Sequence, residues 1–379
     1  MIPYARQSID ASDVEAVVEV LRSDWLTQGP CIPAFEAALG AAVGAPHVVA
    51  VSSGTAGLHL ACMALGIGVN DHVWTSPLSF AASANCALYC GAKVDFIDID
   101  PRTGLICLDA LSHALKVAAI EGRLPKALIV VHYAGLVADM SAISRLADLY
   151  GFRIIEDAAH ALGAGSPGVR VGDCRYSDMT IFSFHPVKHI TTGEGGAVCM
   201  RDSALARQVA LLRSHGITRD EALMEGESEG GWYYQQTALG LNYRITDLQA
   251  ALGRSQLARL EGFIAQRRRL AERYEQLLQS LPVRRLPLVP DAAWHLYPIR
   301  VEPCRRKAVF DTLRSAGINV NVHYLPIYLH PYYRRLGFRP GHCPQAEAFY
   351  AGLISLPMYA DLDDDAQERV VHVLKEALA

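Results

Sequence analysis

An α/β fold is predicted: a large unit with a mainly parallel seven-stranded sheet between helices, plus a smaller C-terminal α/β unit. Three observations carry this expectation. Short apolar runs alternate with helical stretches as far as Cys199, the runs show little polar alternation, and the sequence changes character from Asp202 onward. Strands separated by helices pair in parallel, and strands covered on both faces read as continuous apolar runs.

Seven runs supply the strands. They are Val48–Val51, His72–Thr75, Lys93–Ile97, Leu128–Val131, Arg153–Ile155, Met179–Phe182 and Gly196–Cys199. Ala56–Leu65 and Ala81–Tyr89 read as helices between the early strands. Beyond Asp202, Ser203–Ser214 is helical and Glu221–Gly231 is a polar loop. Asp247–Leu281 is one long helical stretch rich in Leu, Arg, Glu and Gln. The C-terminal unit reads as a strand at Trp294–Val301, a helix at Arg305–Ala316, a strand at Ile318–His323 and a last helix at Asp364–Ala379. Residues 12–260 are expected to form the large domain and 261–379 the small one, with segment 1–11 packing on the latter. Arg267-Arg268-Arg269 reads as a solvated helix face. Asp363, Asp364 and Asp365 read as capping carboxylates at the positive end of the last helix.

The 379 residues suit one large domain and one smaller one. With 51% hydrophobic and 20% charged residues the chain is globular, not disordered. Thirty-five basic against 39 acidic residues leave a net charge of −4, so no basic footprint points to nucleic acid. No apolar run spans a bilayer, and the start Met1-Ile2-Pro3-Tyr4-Ala5-Arg6 lacks the pattern of a signal peptide. Nine cysteines without a Cys-x-x-Cys pair read as reduced residues of a cytoplasmic protein, and no metal site is expected.

Four segments follow strands, where open α/β sheets gather ligands. Ser52-Ser53-Gly54-Thr55-Ala56-Gly57 runs from a strand into a helix, so free N–H groups and the helix dipole make a phosphate seat; many tight turns look the same. Phe80, after the second strand, is either a stacking surface for a flat ring or a core residue. Ile155-Glu156-Asp157 ends an apolar strand in carboxylates, which need a cationic or hydrogen-bonded partner. Asp157 pairs with a protonated pyridine nitrogen or caps a helix, and His160 is within reach of the same ligand. Lys188 lies in a strand-to-strand loop among apolar and small residues, where shielding from water lowers its pKa and makes it a nucleophilic amine. Ser183 offers a hydroxyl to a phosphate. Together these features fit pyridoxal 5′-phosphate, which needs its phosphate held, its ring clamped, its nitrogen kept protonated and its aldehyde tethered by a lysine.

At these residues the chain resembles the DegT/StrS-type sugar aminotransferases, of fold-type I architecture, over nearly its whole length. Ile2–Asp10, Leu21–Pro30 and the segment around Lys188 look most like the transaminases of pseudaminic acid biosynthesis. Those make UDP-4-amino-4,6-dideoxy-N-acetyl-β-L-altrosamine from a 4-keto sugar nucleotide and L-glutamate. The resemblance implies that Lys188 tethers the cofactor and moves protons, that Asp157 pairs with the ring nitrogen, and that Phe80 stacks on the ring. It implies that His160 bonds near the ring hydroxyl and that Gly54, Thr55 and Ser183 hold the phosphate. Asn242 matches a residue that reaches the second subunit's site, which implies a homodimer with shared active sites. Tyr4, Asp24, Trp25, Leu26 and Thr27 match sugar-nucleotide contacts, as do Asn321, Val322, His323 and Tyr324; the last two alternatively only close the small domain. His189 stands where some relatives carry Pro and either tunes the lysine or shapes the loop. Because Lys188 is not replaced by histidine, amino transfer is favoured over the dehydration of a related branch. A D-configured UDP, GDP or dTDP sugar, or a non-catalytic sugar-nucleotide-binding role, are the alternatives.

Overall fold

The computed structural model describes residues 1–166 and 168–379. Its centre is a seven-stranded sheet made of β1 (His47–Val51), β2 (His72–Thr75), β3 (Lys93–Phe96), β4 (Ala127–Val131), β5 (Arg153–Asp157), β6 (Met179–Ser183) and β7 (Gly196–Met200). Their order across the sheet is β1-β7-β6-β5-β4-β2-β3. All run in parallel except β7, which is antiparallel to both its neighbours. Each apolar run named above became a strand with ends within two residues of those expected. The reason is burial: β4 and β7 are buried at every position, so only extended, fully paired backbone satisfies their polar groups.

Helices Gly54–Ala64 and Ala82–Tyr89 begin just after β1 and β2. Ser53 caps the first, its hydroxyl accepting from Ala56 N at 3.0 Å. A second, three-stranded antiparallel sheet joins Arg284–Arg285, Tyr297–Arg300 and Leu353–Leu356. Its core runs on into the large sheet's side through Leu78, Phe96 and Tyr133. Tyr133 Oη donates to His323 O at 2.6 Å, which fixes the 321–325 segment beside the large sheet. The N-terminal segment bonds along the same part: Asn319 N donates to Ile2 O at 2.8 Å and Met358 N to Tyr4 O at 2.9 Å.

Four expectations need correction. Ile318–His323 is not a strand; it makes only isolated bridges, Ile2 with Ile318 and Asn321 with Ser355, because its contact with the strand Leu353–Leu356 is confined to that one residue pair. Only Tyr297–Arg300 of the 294–301 run is extended and paired, since Trp294 takes a positive φ of 47° and turns the chain. The stretch 247–281 is two helices, Asp247–Ala258 and Leu260–Leu277, the first opened by a Thr246–Gln249 capping box. Arg267 is buried at 2% exposure, unlike a solvated face. Asp363 caps the last helix as expected, accepting from Ala366 N at 2.7 Å.

Candidate active site

The ends of β1, β5 and β6 and the start of β7 meet below a cavity of about 780 Å³. Gly196 pairs with Val51 on one side and Ser183 on the other. That register explains the residue: a Cβ there would lie 2.6 Å from Ser53 C and 2.7 Å from Gly54 N. A Cβ on Gly54 would in turn meet Ser183 Cβ at 3.0 Å. The absence of side chains at both positions leaves a cradle walled by Ser53, Gly54, Thr55 and Ser183 at the start of an 11-residue helix. Free N–H groups, the helix dipole and a hydroxyl converge there, which suits a phosphate.

Asp157 closes β5 with 7% exposure. Its carboxylate accepts from Ser83 Oγ at 2.6 Å and from Ala159 N at 3.2 Å. The chain does not enter a helix here, so helix capping is not its role. Ser79 Oγ lies 2.6 Å from Ser83 Oγ and extends the network. A carboxylate held in this way at a cavity wall suits a cationic ring nitrogen.

Lys188 is half-buried in the loop between β6 and β7. The loop is pinned at its neck, with Phe184 N donating to Gly195 O at 2.9 Å and Thr192 N to Phe184 O at 3.0 Å. Desolvation in the cavity floor, opposed by nearby Asp157 and reinforced by Arg267, lowers the Lys188 amine to about 8. His295 Nε2 lies 3.4 Å from Lys188 Nζ. The His295 ring packs against His160, with centroids 4.4 Å apart. His160 Nε2 lies 3.1 Å from Tyr324 Oη, and the two rings stack at an interplanar angle of 15°. Burial, and then the Lys188 charge, hold the His160 and His295 imidazoles well below their usual range, so both are neutral. Each leaves its Nδ1 buried without a partner among the described residues. His323 bonds through Nδ1 to Ser355 Oγ at 2.9 Å, and burial lowers it to about 4.

Phe80 is 62% exposed on the cavity wall, so it is no core residue. Its ring centroid lies 6.5 Å from that of Tyr324. The cavity thus gathers Tyr4, Gly54, Thr55, Phe80, Asp157, His160, Ser183, Lys188, Asn321, Val322, His323 and Tyr324. It does not gather Asp24, Trp25, Leu26 and Thr27, which lie on an exposed segment, nor the exposed Asn242. His189 faces away, its Nε2 3.2 Å from Ala293 O, in keeping with a loop-shaping part. Sequence reasoning missed His295, Ser83 and Arg267. His295 sits inside an apolar run that reads as a strand, Ser83 looks like an ordinary helix residue, and Arg267 is masked by the arginines beside it.

A phosphate cradle, a carboxylate at a strand end, an exposed aromatic face and a shielded amine fit pyridoxal 5′-phosphate part by part. The orphaned Nδ1 atoms mark a polar interior that a bound group or water would complete. The model of the DegT/DnrJ/EryC1/StrS aminotransferase family matches residues 7–375. The spore coat polysaccharide biosynthesis protein SpsC of Bacillus subtilis is 36% identical over 99% of this chain and 96% of its own. Among solved structures, the putative sugar aminotransferase Spr1654 from Streptococcus pneumoniae, in its PMP form, has a TM-score of 0.90 at 28% identity, covering 100% of this chain and 99% of that one. PseC from Helicobacter pylori, an aminotransferase involved in the biosynthesis of pseudoaminic acid, has a TM-score of 0.89 at 31% identity with the same coverage. The chain belongs to the DegT/DnrJ/EryC1/StrS aminotransferase family, and its chemistry is that of a pyridoxal-phosphate-dependent sugar aminotransferase.

Proposed function

We propose that this chain transfers the amino group of L-glutamate to a nucleotide-linked 4-keto-6-deoxy sugar, forming UDP-4-amino-4,6-dideoxy-N-acetyl-β-L-altrosamine for pseudaminic acid synthesis. The observation that carries the reading is the placement of Lys188 and Asp157 in one cavity of about 780 Å³. That volume lies in the upper range for small-molecule sites and leaves room for a sugar nucleotide above a cofactor. The likeness to PseC supports the choice of sugar.

Ser53, Gly54, Thr55 and Ser183 hold the phosphate, Phe80 covers one ring face, and Asp157 accepts the ring N–H while Ser83 orients its carboxylate. When bound, pyridoxal phosphate supplies an aldehyde that condenses with amines and a ring that takes up the electron pair left on carbon. The neutral Lys188 amine takes the α-proton of glutamate, and in the second half-reaction Lys188 delivers a proton to C4 of the sugar. His160 and Tyr324, bonded to each other, line the side where the sugar enters. One site serves both substrates in turn, so ping-pong kinetics are expected.

The active unit in this reading is a homodimer. Asn242 and the segment Asp24–Thr27 reach the second copy's cavity, which accounts for Trp25 and Leu26 standing 57% and 45% exposed. A cytoplasmic setting suits nine free cysteines, and no helix among the described residues is long and apolar enough to cross a membrane.

The test is product analysis with glutamate and either the UDP-4-keto-L-altrosamine-type substrate or its D-gluco-type epimer. The expected result is 2-oxoglutarate and an amino sugar from the first. Turnover of the second alone would replace the sugar assignment, and the 36% identity to SpsC makes a different nucleotide sugar the reading to try next. A protein that neither acquires a visible absorption band with pyridoxal phosphate nor loses it on adding glutamate would end the proposal.

A further inference from the structure

Arg267 is a buried cation without an acid. It projects from the helix Leu260–Leu277 into the interior at 2% exposure. Its Nη1 donates to three main-chain carbonyls: Trp294 O at 3.3 Å, His295 O at 3.3 Å and Met358 O at 3.1 Å. Its Nε has no partner, and no carboxylate pairs with it among the described residues. Buried charges are ordinarily paired, because the cost of removing an ion from water is otherwise uncompensated. A guanidinium held only by carbonyl dipoles is therefore an expense that the fold accepts for some return.

Its neighbours indicate the return. Two of the three carbonyls belong to the turn that presents His295, whose Nε2 is 3.4 Å from Lys188 Nζ. A small void of about 10 Å³ is bounded by Lys188, His189 and Arg267 together, so no thick layer of protein separates the two cations. We propose that Arg267 is a positioning residue for Lys188: it ties down the main chain that carries His295 and places an unpaired positive charge behind the amine, which favours the amine's neutral form. Arg267 itself lines the rear void, not the substrate cavity, and so acts through its neighbours. The inference rests on the reading of Lys188 as the reacting amine.

The other groups facing Lys188 do not make Arg267 redundant. Asp157, from the end of β5, opposes it by favouring the charged amine. His160, His189, His295 and His323, from three further segments, are all neutral or nearly so at pH 7. Tyr324 holds its proton. Burial is the larger influence on Lys188; the exposed Arg6 also borders the rear void, so among the described residues Arg267 is the buried permanent positive charge there.

The test measures the pH midpoint for acylation of Lys188, by mass spectrometry, in the full-length chain freed of cofactor. Arg267→Gln removes the charge, Arg267→Met does so with an apolar side chain that packs where Gln fails to fold, and Arg267→Lys keeps the charge. The expected result is a midpoint raised by about one pH unit in the Gln or Met variant, tenfold slower labelling at pH 7, and a shift of less than half that in the Lys variant. A parental midpoint in a folded Gln or Met variant overturns the proposal. So do equal shifts in all three, because loss of packing then explains them. Borohydride fixation of the pyridoxyl group in the parent holoenzyme separates the two readings. No adduct at Lys188 defeats the assignment of the site, whereas an adduct at Lys188 with an unmoved midpoint defeats the part given to Arg267 alone.

Discussion

At the floor of the cavity, Asp157, Ser183 and the Ser53–Thr55 turn hang from the ends of paired strands; Asp24, Trp25, Leu26 and Thr27 sit on an exposed segment that touches no part of it. Ladder hydrogen bonds hold β5 and β6 on both sides and the edge strand β1 on its β7 side, so the floor's atoms are set before any ligand arrives. The outer segment lies in no sheet; Trp25 N donates to Ser23 Oγ at 3.1 Å, and Asp247 N donates to Thr27 O at 3.2 Å to tie its end to a distant helix. The difference teaches where each kind of specificity resides. In the proposed reading, cofactor chemistry belongs to the sheet of one chain, and part of the choice of sugar belongs to surfaces that a second copy completes.

The sharpest test of this division is Lys188→Met. Turnover should fall at least about a thousandfold, since both the tether and the proton carrier are gone. The same variant should be more stable without cofactor. Lysine in an unfolded chain stays charged up to its ordinary value of 10.5, whereas the folded amine sheds its proton at about 8. Stability of the parent therefore rises as pH passes from about 8 to 10.5, and the penalty is fully present below 8. Denaturant melts at pH 7 should show the Met variant gaining about 1–3 kcal/mol, with the pH-dependent rise abolished. A loss of stability at pH 7 would show that the lysine is better solvated than its surroundings imply.

Gly196→Ala is the next effect in size. The added methyl has backbone on the far side, at 2.6 Å, and cannot be relieved by moving a flexible side chain. Pyridoxal phosphate should bind about tenfold or more weakly in equilibrium dialysis, and stability should drop by about 1–3 kcal/mol. Smallest is Trp25→Ala. The KM for the sugar nucleotide should rise about threefold to tenfold while the cofactor's absorption spectrum stays unchanged. A changed spectrum would place Trp25 with the floor and erase the contrast.

The contrast also governs what could be read in advance. Leu128–Val131 and Met179–Phe182 were legible because a strand covered on both faces has to be apolar throughout. Lys188 and Asp157 were legible because each follows such a run. Ile318–His323 has the same β-branched character but finds no continuous neighbour, a fact that depends on tertiary placement. His295 reaches Lys188 only because Trp294 turns the chain, and Arg267 is told apart from Arg268 and Arg269 only by the direction of its side chain.

The reversed strand β7 has one more consequence, for the timing of assembly. Its first residue, Gly196, closes the cradle against Ser53, across most of the length of the sheet-forming chain. Contacts that distant in sequence form late, after the entropy of closing the intervening loops has been met. During refolding, secondary structure should return before the cradle exists, so the ability to retain the vitamin-derived ligand would mark the final stage of maturation and expose intermediates that circular dichroism alone would count as native.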